Sequence, residues 1–326
     1  MRLRIGQETK GRGLVDLGDA KRSVYGIWIA LAVMFAFTLL FRPALAQSSS
    51  VQTMVVLAAV TALVGLGQGA VIFVGGIDLS IPWIMSAAAI VFSGIANGRD
   101  NRLLVALTAA VLIGAGIGFL NGLGSVYLGI HPVVMTLAMN AVLQGATLGY
   151  TGGLVTGSPP PIVNVFMRGD GSGFPAVIPT LFVLALLVTF IMRQTNYGRK
   201  LQAVGLSPYA ARLGGVNSKA ISASTYVISG VCAALAGIML AGLAGQSYLG
   251  MGDPYLLISV AVVALGGAAF VGGRGHYLGT LGGALLLSLL ASLLTTFQLP
   301  EATRTIVQGL VILIAVIAAK IGWKRR

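Results

Sequence analysis

The chain has 326 residues, of which 56% are hydrophobic and only 9% charged. That balance excludes an ordinary water-soluble domain, which would have to expose far too much apolar surface. The net charge of +13 would suit nucleic acid if it were spread over one face, but it gathers at three places beside apolar runs, so anionic lipid headgroups are sufficient partners and no nucleic acid is expected.

The first basic cluster, Arg2, Arg4, Lys10, Arg12, Lys21 and Arg22, lies in segment 1–22 and precedes an apolar run over 24–41. The run ends in Ala44-Leu45-Ala46, a small-x-small pattern of the kind a signal peptidase cuts. It is longer than a usual signal core, and an uncleaved span is expected. Further runs follow over 51–74, 81–96, 103–120, 133–148 and 174–192, then over 221–241, 256–270, 278–299 and 306–321. A crossing needs roughly 20 mostly apolar residues for a ~30 Å hydrocarbon core. The reading is therefore an all-α integral membrane protein of about ten transmembrane helices, a single transmembrane domain over 23–322 with a short tail at 323–326. The runs 81–96 and 256–270 are short, so either is expected to be re-entrant or tilted and broken.

The second basic cluster occupies 193–219 and the third is Lys320, Lys324, Arg325 and Arg326. Under the positive-inside rule all three clusters face the cytoplasm, which requires an even number of crossings on each side of the central one. The run count meets this, with six before and four after.

Among the 46 glycines, Gly114, Gly118 and Gly122 form a doubled GxxxG on one helix face, where another helix can approach closely. Phe73-Val74-Gly75-Gly76 and Phe270-Val271-Gly272-Gly273 are identical tetrads, from an internal duplication or by chance. The sole cysteine, Cys232, excludes an internal disulfide and reads as packing.

Few residues carry chemistry. No GxxxxGK[ST] phosphate loop, HExxH or GxSxG occurs, and His131 and His276 sit at run ends without acidic or cysteine neighbours at ligand spacing. The chain is expected to be no enzyme, with no metal and no cofactor of its own. Asp78 is the most informative acid, because it lies between two apolar runs, where a carboxylate in hydrocarbon costs ~2.5–3.5 kcal/mol. Gly75 and Gly76 permit a break there, Ser80 is expected to cap the next helix, and Pro82 falls in its first turn. Asp78 and Ser80 belong to that structural break, to the passage or gate, or to both. Asn140 and Gln144 share one face of the fifth run, as a structural pair or as contacts for a polar solute. Between runs six and seven, Ser207 is expected to cap a short cytoplasmic helix with Pro208 at its first position, which Gly214 and Gly215 stop.

From about residue 51 onward the chain resembles the ribose-type permeases of bacterial ABC importers. Gly76-Ile77-Asp78-Leu79-Ser80 looks like their GIDLS signature, and Gly198 to Asn217 like their GR-x4-AVG…AARL-x-G-x-N cytoplasmic loop. Leu265-Gly266-Gly267 through Gly272-Gly273-Arg274-Gly275 resembles LGG…GG[KR]G, and Gly279-Thr280 through Gly283-Ala284 resembles GT-x-x-GA. The resemblance implies a permease in the bacterial inner membrane, paired with a second copy or paralogue. It also implies a separate ATPase subunit, which binds the ATP and Mg, and a periplasmic sugar-binding protein. Gly205, Ser207, Ala210, Ala211, Arg212 and Gly214 would couple to the ATPase, and Asp78, Ser80, Asn140 and Gln144 would belong to the passage. The apolar Tyr255-Leu256-Leu257-Ile258 and the bulky Ile81-Pro82-Trp83 depart from the ribose pattern, and suit another pentose, a hexose or a polyol. The alternative is an ion-coupled secondary transporter of a small polar solute, for which Asp78 shows no intramembrane partner in the sequence.

Overall fold

A computed structural model describes residues 17–170, 173–268, 272–273, 275–300, 302–311 and 313. The N-terminal basic residues through Arg12, the first half of the second tetrad, Arg274 and the C-terminal cluster lie outside the described residues.

Every regular element among the described residues is helical. In chain order these are α1 (Leu17–Phe41), α2 (Ser48–Phe73), α3 (Ile81–Ala96), α4 (Leu103–Gly122) and α5 (Pro132–Thr151). Then come α6 (Pro161–Arg168), α7 (Val177–Gln194), α8 (Asn196–Leu206), α9 (Pro208–Leu213) and α10 (Ser218–Ala244). The series ends with α11 (Tyr255–Leu265), α12 (Tyr277–Thr296) and a helical stretch over 302–311. Seven of them, α1, α2, α4, α5, α7, α10 and α12, are long and apolar enough to cross a membrane. The chain is an all-α integral membrane protein.

The two short runs behave as their lengths require. At 1.5 Å per residue, α3 with 16 residues reaches about 24 Å and α11 with 11 residues about 16 Å, both less than a ~30 Å core. A broken backbone precedes each. The segment 74–80 leads into α3, and 245–254 leads into α11. Of the expected span over 306–321, only the beginning falls within the described residues, and it is helical.

The centre of the bundle is α10, which packs against α2, α3 and α4. Its seam with α4 is made by missing side chains. A Cβ on Gly118 would strike the Tyr226 carbonyl oxygen, and one on Gly114 would strike that of Gly230, so the two backbones touch. Gly122 lies against Ala223 in the same seam, as the GxxxG pattern implied. Cys232 is buried in α10 beside Gly67 of α2, in accord with a packing role.

Gly118→Leu should push α4 off α10 and cost ~1–3 kcal/mol or more, because backbone cannot give way as a side chain does. Gly116 on the same helix has open space, so Gly116→Leu should leave the protein intact. The yield of monodisperse protein extracted in mild detergent checks the contrast.

Candidate functional site: a buried carboxylate and the paired helices α8 and α9

Gly75 takes φ +82 directly after α2, a conformation that favours glycine, and turns the chain out of the helix. Gly76 then passes so close to the Tyr226 hydroxyl that a Cβ would clash with it. Asp78, two residues on, is fully buried. Its Oδ1 accepts from Ser80 N at 3.0 Å and from Ser80 Oγ at 2.6 Å, and its Oδ2 accepts from Ser229 Oγ of α10 at 2.7 Å. Ser80 Oγ in turn accepts from Asn121 Nδ2 of α4 at 2.8 Å. The backbone of the break is held as well. Asp78 N donates to Gln68 Oε1 of α2 at 3.3 Å, and Leu79 N donates to Thr136 Oγ1 of α5 at 2.9 Å. Helices α2, α4, α5 and α10 therefore all converge on one short stretch of irregular backbone.

The expected Ser80 cap is corrected. Ser80 has helical dihedrals, φ −86 and ψ −10, and its side chain makes no capping hydrogen bond. Asp78 performs that task from two residues upstream, in the manner of an Asx turn, and the Ser80 hydroxyl is drawn to the carboxylate. The sequence reading passed over Gln68, Asn121, Thr136 and Ser229. Each is a lone polar residue in an apolar run, which is the signal that was available.

Asn140 and Gln144 do not join this knot through any hydrogen bond among the described residues. They stand above Thr136 on α5, and with Thr147 and Thr151 they make a polar stripe within an arc of about 80° at 3.6 residues per turn. Thr136 and Thr147 are buried and Gln144 is exposed. Asn140 Oδ1 is buried without a hydrogen-bond partner among the described residues.

On the other side of the break, Thr195 caps α8 by accepting from Gly198 N at 3.2 Å, and Ser207 caps α9 by accepting from Ala210 N at 3.2 Å. One short helix was expected here, at 208–213, and α8 is an addition. Tyr197 Oη and Ser224 Oγ, 2.9 Å apart, tie α8 to α10, and Ser218 Oγ of α10 donates to Pro208 O at 2.8 Å. Gly214 has φ −81, which any residue adopts, whereas Gly215 at φ +78 supplies the left-handed stop. Ala211 is buried, so α9 turns Tyr209, Ala210, Arg212, Leu213 and Gly214 outward. Gly205 of α8 rests on Phe73, the last residue of α2, at a distance that leaves no room for a side chain. Gly273 N donates to the same Phe73 carbonyl at 2.8 Å. Gly272 and Gly273, the described half of the second tetrad, thus meet the first at the end of α2, next to the break that holds Asp78.

Residues 50–316 match the family of branched-chain amino acid transport system permease components. The chain belongs to that family. The match includes the Asp78 knot, α8 and α9. Curated relatives include the D-allose transport system permease protein of Escherichia coli K12, 29% identical over 90% of both chains. The ribose import permease protein of Escherichia coli K12 is 31% identical over 89% of this chain and 91% of its own. A galactofuranose transporter permease protein of the same organism is 35% identical over 56% of this chain and 54% of its own. No solved structure matches the chain significantly. Its relatives are thus permease subunits, and the family places this chain among multi-pass membrane transport components.

Asp78→Ala should leave Ser80 N, Ser80 Oγ and Ser229 Oγ without their shared acceptor, a loss of ~1–3 kcal/mol for each donor left dry. Ser229→Ala removes one contact only and should cost less. Thermal unfolding of the purified variants in detergent checks the order, and equal midpoints for Asp78→Ala and the wild type would contradict it.

Proposed function

We propose that the chain is the membrane-spanning permease subunit of an ABC importer, carrying a small unphosphorylated sugar, a pentose, hexose or polyol, into the cytoplasm. The observation that carries this reading is the seat of α8 and α9 on the end of α2. An outward-facing cap of Tyr209, Ala210, Arg212, Leu213 and Gly214 is joined through Gly205 to Phe73, and Phe73 adjoins the break at Asp78. A push on α9 by an ATPase would reach the hinge between α2 and α3 within one layer of contacts. The names of the relatives favour sugars over amino acids as cargo.

In this reading the ATP and Mg belong to the partner ATPase, a periplasmic sugar-binding protein delivers the cargo, and a second copy or a paralogue completes the passage. The polar stripe of α5, with Gln144 exposed and Asn140 Oδ1 unpartnered, is the face that such a second permease would cover. Both termini and the pair α8 and α9 then lie on the cytoplasmic side of the bacterial inner membrane.

Extraction of the tagged chain from its native membrane should co-purify a Walker-bearing ATPase at stoichiometric ratio. Uptake that survives ATP depletion and collapses with an uncoupler would instead make the chain an ion-coupled secondary transporter. Gly214→Glu should abolish most ATP-driven uptake while membrane abundance stays normal, since this position is exposed and free of strain. Radiolabelled sugar uptake beside an immunoblot checks both halves of that expectation.

A further inference from the structure

The connection between α10 and α11, residues 245–254, returns into the bundle along α3. Ser247 Oγ lies 2.6 Å from Ser93 Oγ and donates to Ala89 O at 3.0 Å, and Gly252 N donates to Ser86 Oγ at 3.0 Å. Gly252 then rests on the backbone of Pro82, in the first turn of α3. The polar stretch Asn97 to Arg102 fixes the other end of α3 at the membrane surface. Trp83 is about 20 Å from Ala96, the last residue of α3, at 1.5 Å per residue, which puts it inside a ~30 Å hydrocarbon core.

Asp253 stands at that depth. The Trp83 indole, 5% exposed, hydrogen-bonds its carboxylate. Its backbone N donates to Gly250 O at 2.9 Å, and Gly250, at φ +73, leaves the space beside Asp253 Oδ2 that a Cβ would take. The carboxylate is thus held in place, yet Asp253 is exposed. It does not line the cavity of about 250 Å³ that Tyr248, Met251, Pro254 and Tyr255 border with α2 and α12. The contrast with Asp78 decides what Asp253 faces. Asp78 is fully buried and takes three hydrogen bonds from protein, whereas Asp253 has the indole alone among the described side chains and keeps its remaining acceptor sites open. An ionisable side chain at membrane depth turns to protein or to a water-filled space, and irregular backbone there obeys the same rule.

We propose that the strap 245–254 forms part of the wall of the water-filled transport passage, and that Asp253 is the charged group presented to the solute there. The inference rests on the transport reading of the chain and adds to it the course of the passage along the strap.

The test begins with the complete transporter in lipid nanodiscs, its native carboxylates unchanged. A water-soluble carbodiimide with glycine ethyl ester should couple to Asp253 at least tenfold faster than to buried Asp78, read by peptide mass spectrometry. Dicyclohexylcarbodiimide, which partitions into lipid, should leave Asp253 unmodified. Modification by the lipid-soluble reagent in place of the water-soluble one, or by neither, would put the carboxylate against lipid or a partner and overturn the proposal. In proteoliposomes, Asp253→Cys labelled with a trimethylammonium-ethyl methanethiosulfonate should take up D-ribose or D-allose at least fivefold more slowly than the same variant unlabelled. Cys232 is buried and leaves the background silent. If labelling is complete and uptake is unchanged, the strap borders water outside the passage and the proposal falls. If the wild type carries neither sugar, the importer reading falls, while the carbodiimide result on the native chain still decides where Asp253 faces.

Discussion

A carboxylate shut away from water must be met by donors, and the donors must be brought to it by whatever elements pack around it. In this permease the requirement is concentrated at Asp78. Ser80 answers from its own loop, Ser229 from α10, and Asn121 of α4 holds Ser80 in place. Gln68 and Thr136 take the two backbone donors that the interrupted helix releases. Irregular backbone at membrane depth is tolerated only where such partners exist, and here they come from four different helices. The break is therefore fixed with respect to nearly the whole bundle, and a displacement of any of these helices is felt at one carboxylate.

The second constraint is distance. For Ser229 to reach Asp78 while Asn121 reaches Ser80, α10 must lie close to both α2 and α4. Glycine makes this possible. Gly67 faces Ser229 across the α2 seam, and Gly114, Gly118 and Gly122 let α4 touch the backbone of α10. With lipid offering no hydrophobic drive to bring helices together, such close contact and the buried hydrogen bonds are what hold the bundle. The same device recurs at Gly205 and Phe73, where it joins the paired helices α8 and α9 to the end of α2.

The two irregular segments, 74–80 and 245–254, are held in different ways. The first is buried and lies toward α8 and α9, with its polar groups directed at one another. The second runs along α3, where Ser247 Oγ donates to Ala89 O and Gly252 N to Ser86 Oγ, and it borders a cavity of about 250 Å³ lined mostly by apolar side chains. Both adjoin α3, which has only 16 residues.

Much of this was legible from the amino-acid order because hydropathy and chain stiffness are local. The apolar runs, the break at Gly75-Gly76, the Ser207-Pro208 start of α9 and the doubled GxxxG each depend on a few neighbouring residues. The partners were not legible in this way. Asp78 and Ser229 are 151 positions apart, and nothing local says that one serves the other. Ser80 looked like the cap because it stands where caps stand, but its hydroxyl donates instead to the carboxylate two residues earlier, a charge-assisted acceptor that also takes the Ser80 N–H. The depth at which α11 begins depends on Gly252 meeting Pro82, and so the cavity exists only in three dimensions. The sequence by itself determined the class, the approximate spans and the place of the break, since these follow from residue type and spacing. Tertiary structure alone decided which polar groups meet and what space they enclose, because a buried hydrogen bond is satisfied by whichever helix arrives and not by the nearest residue in the chain.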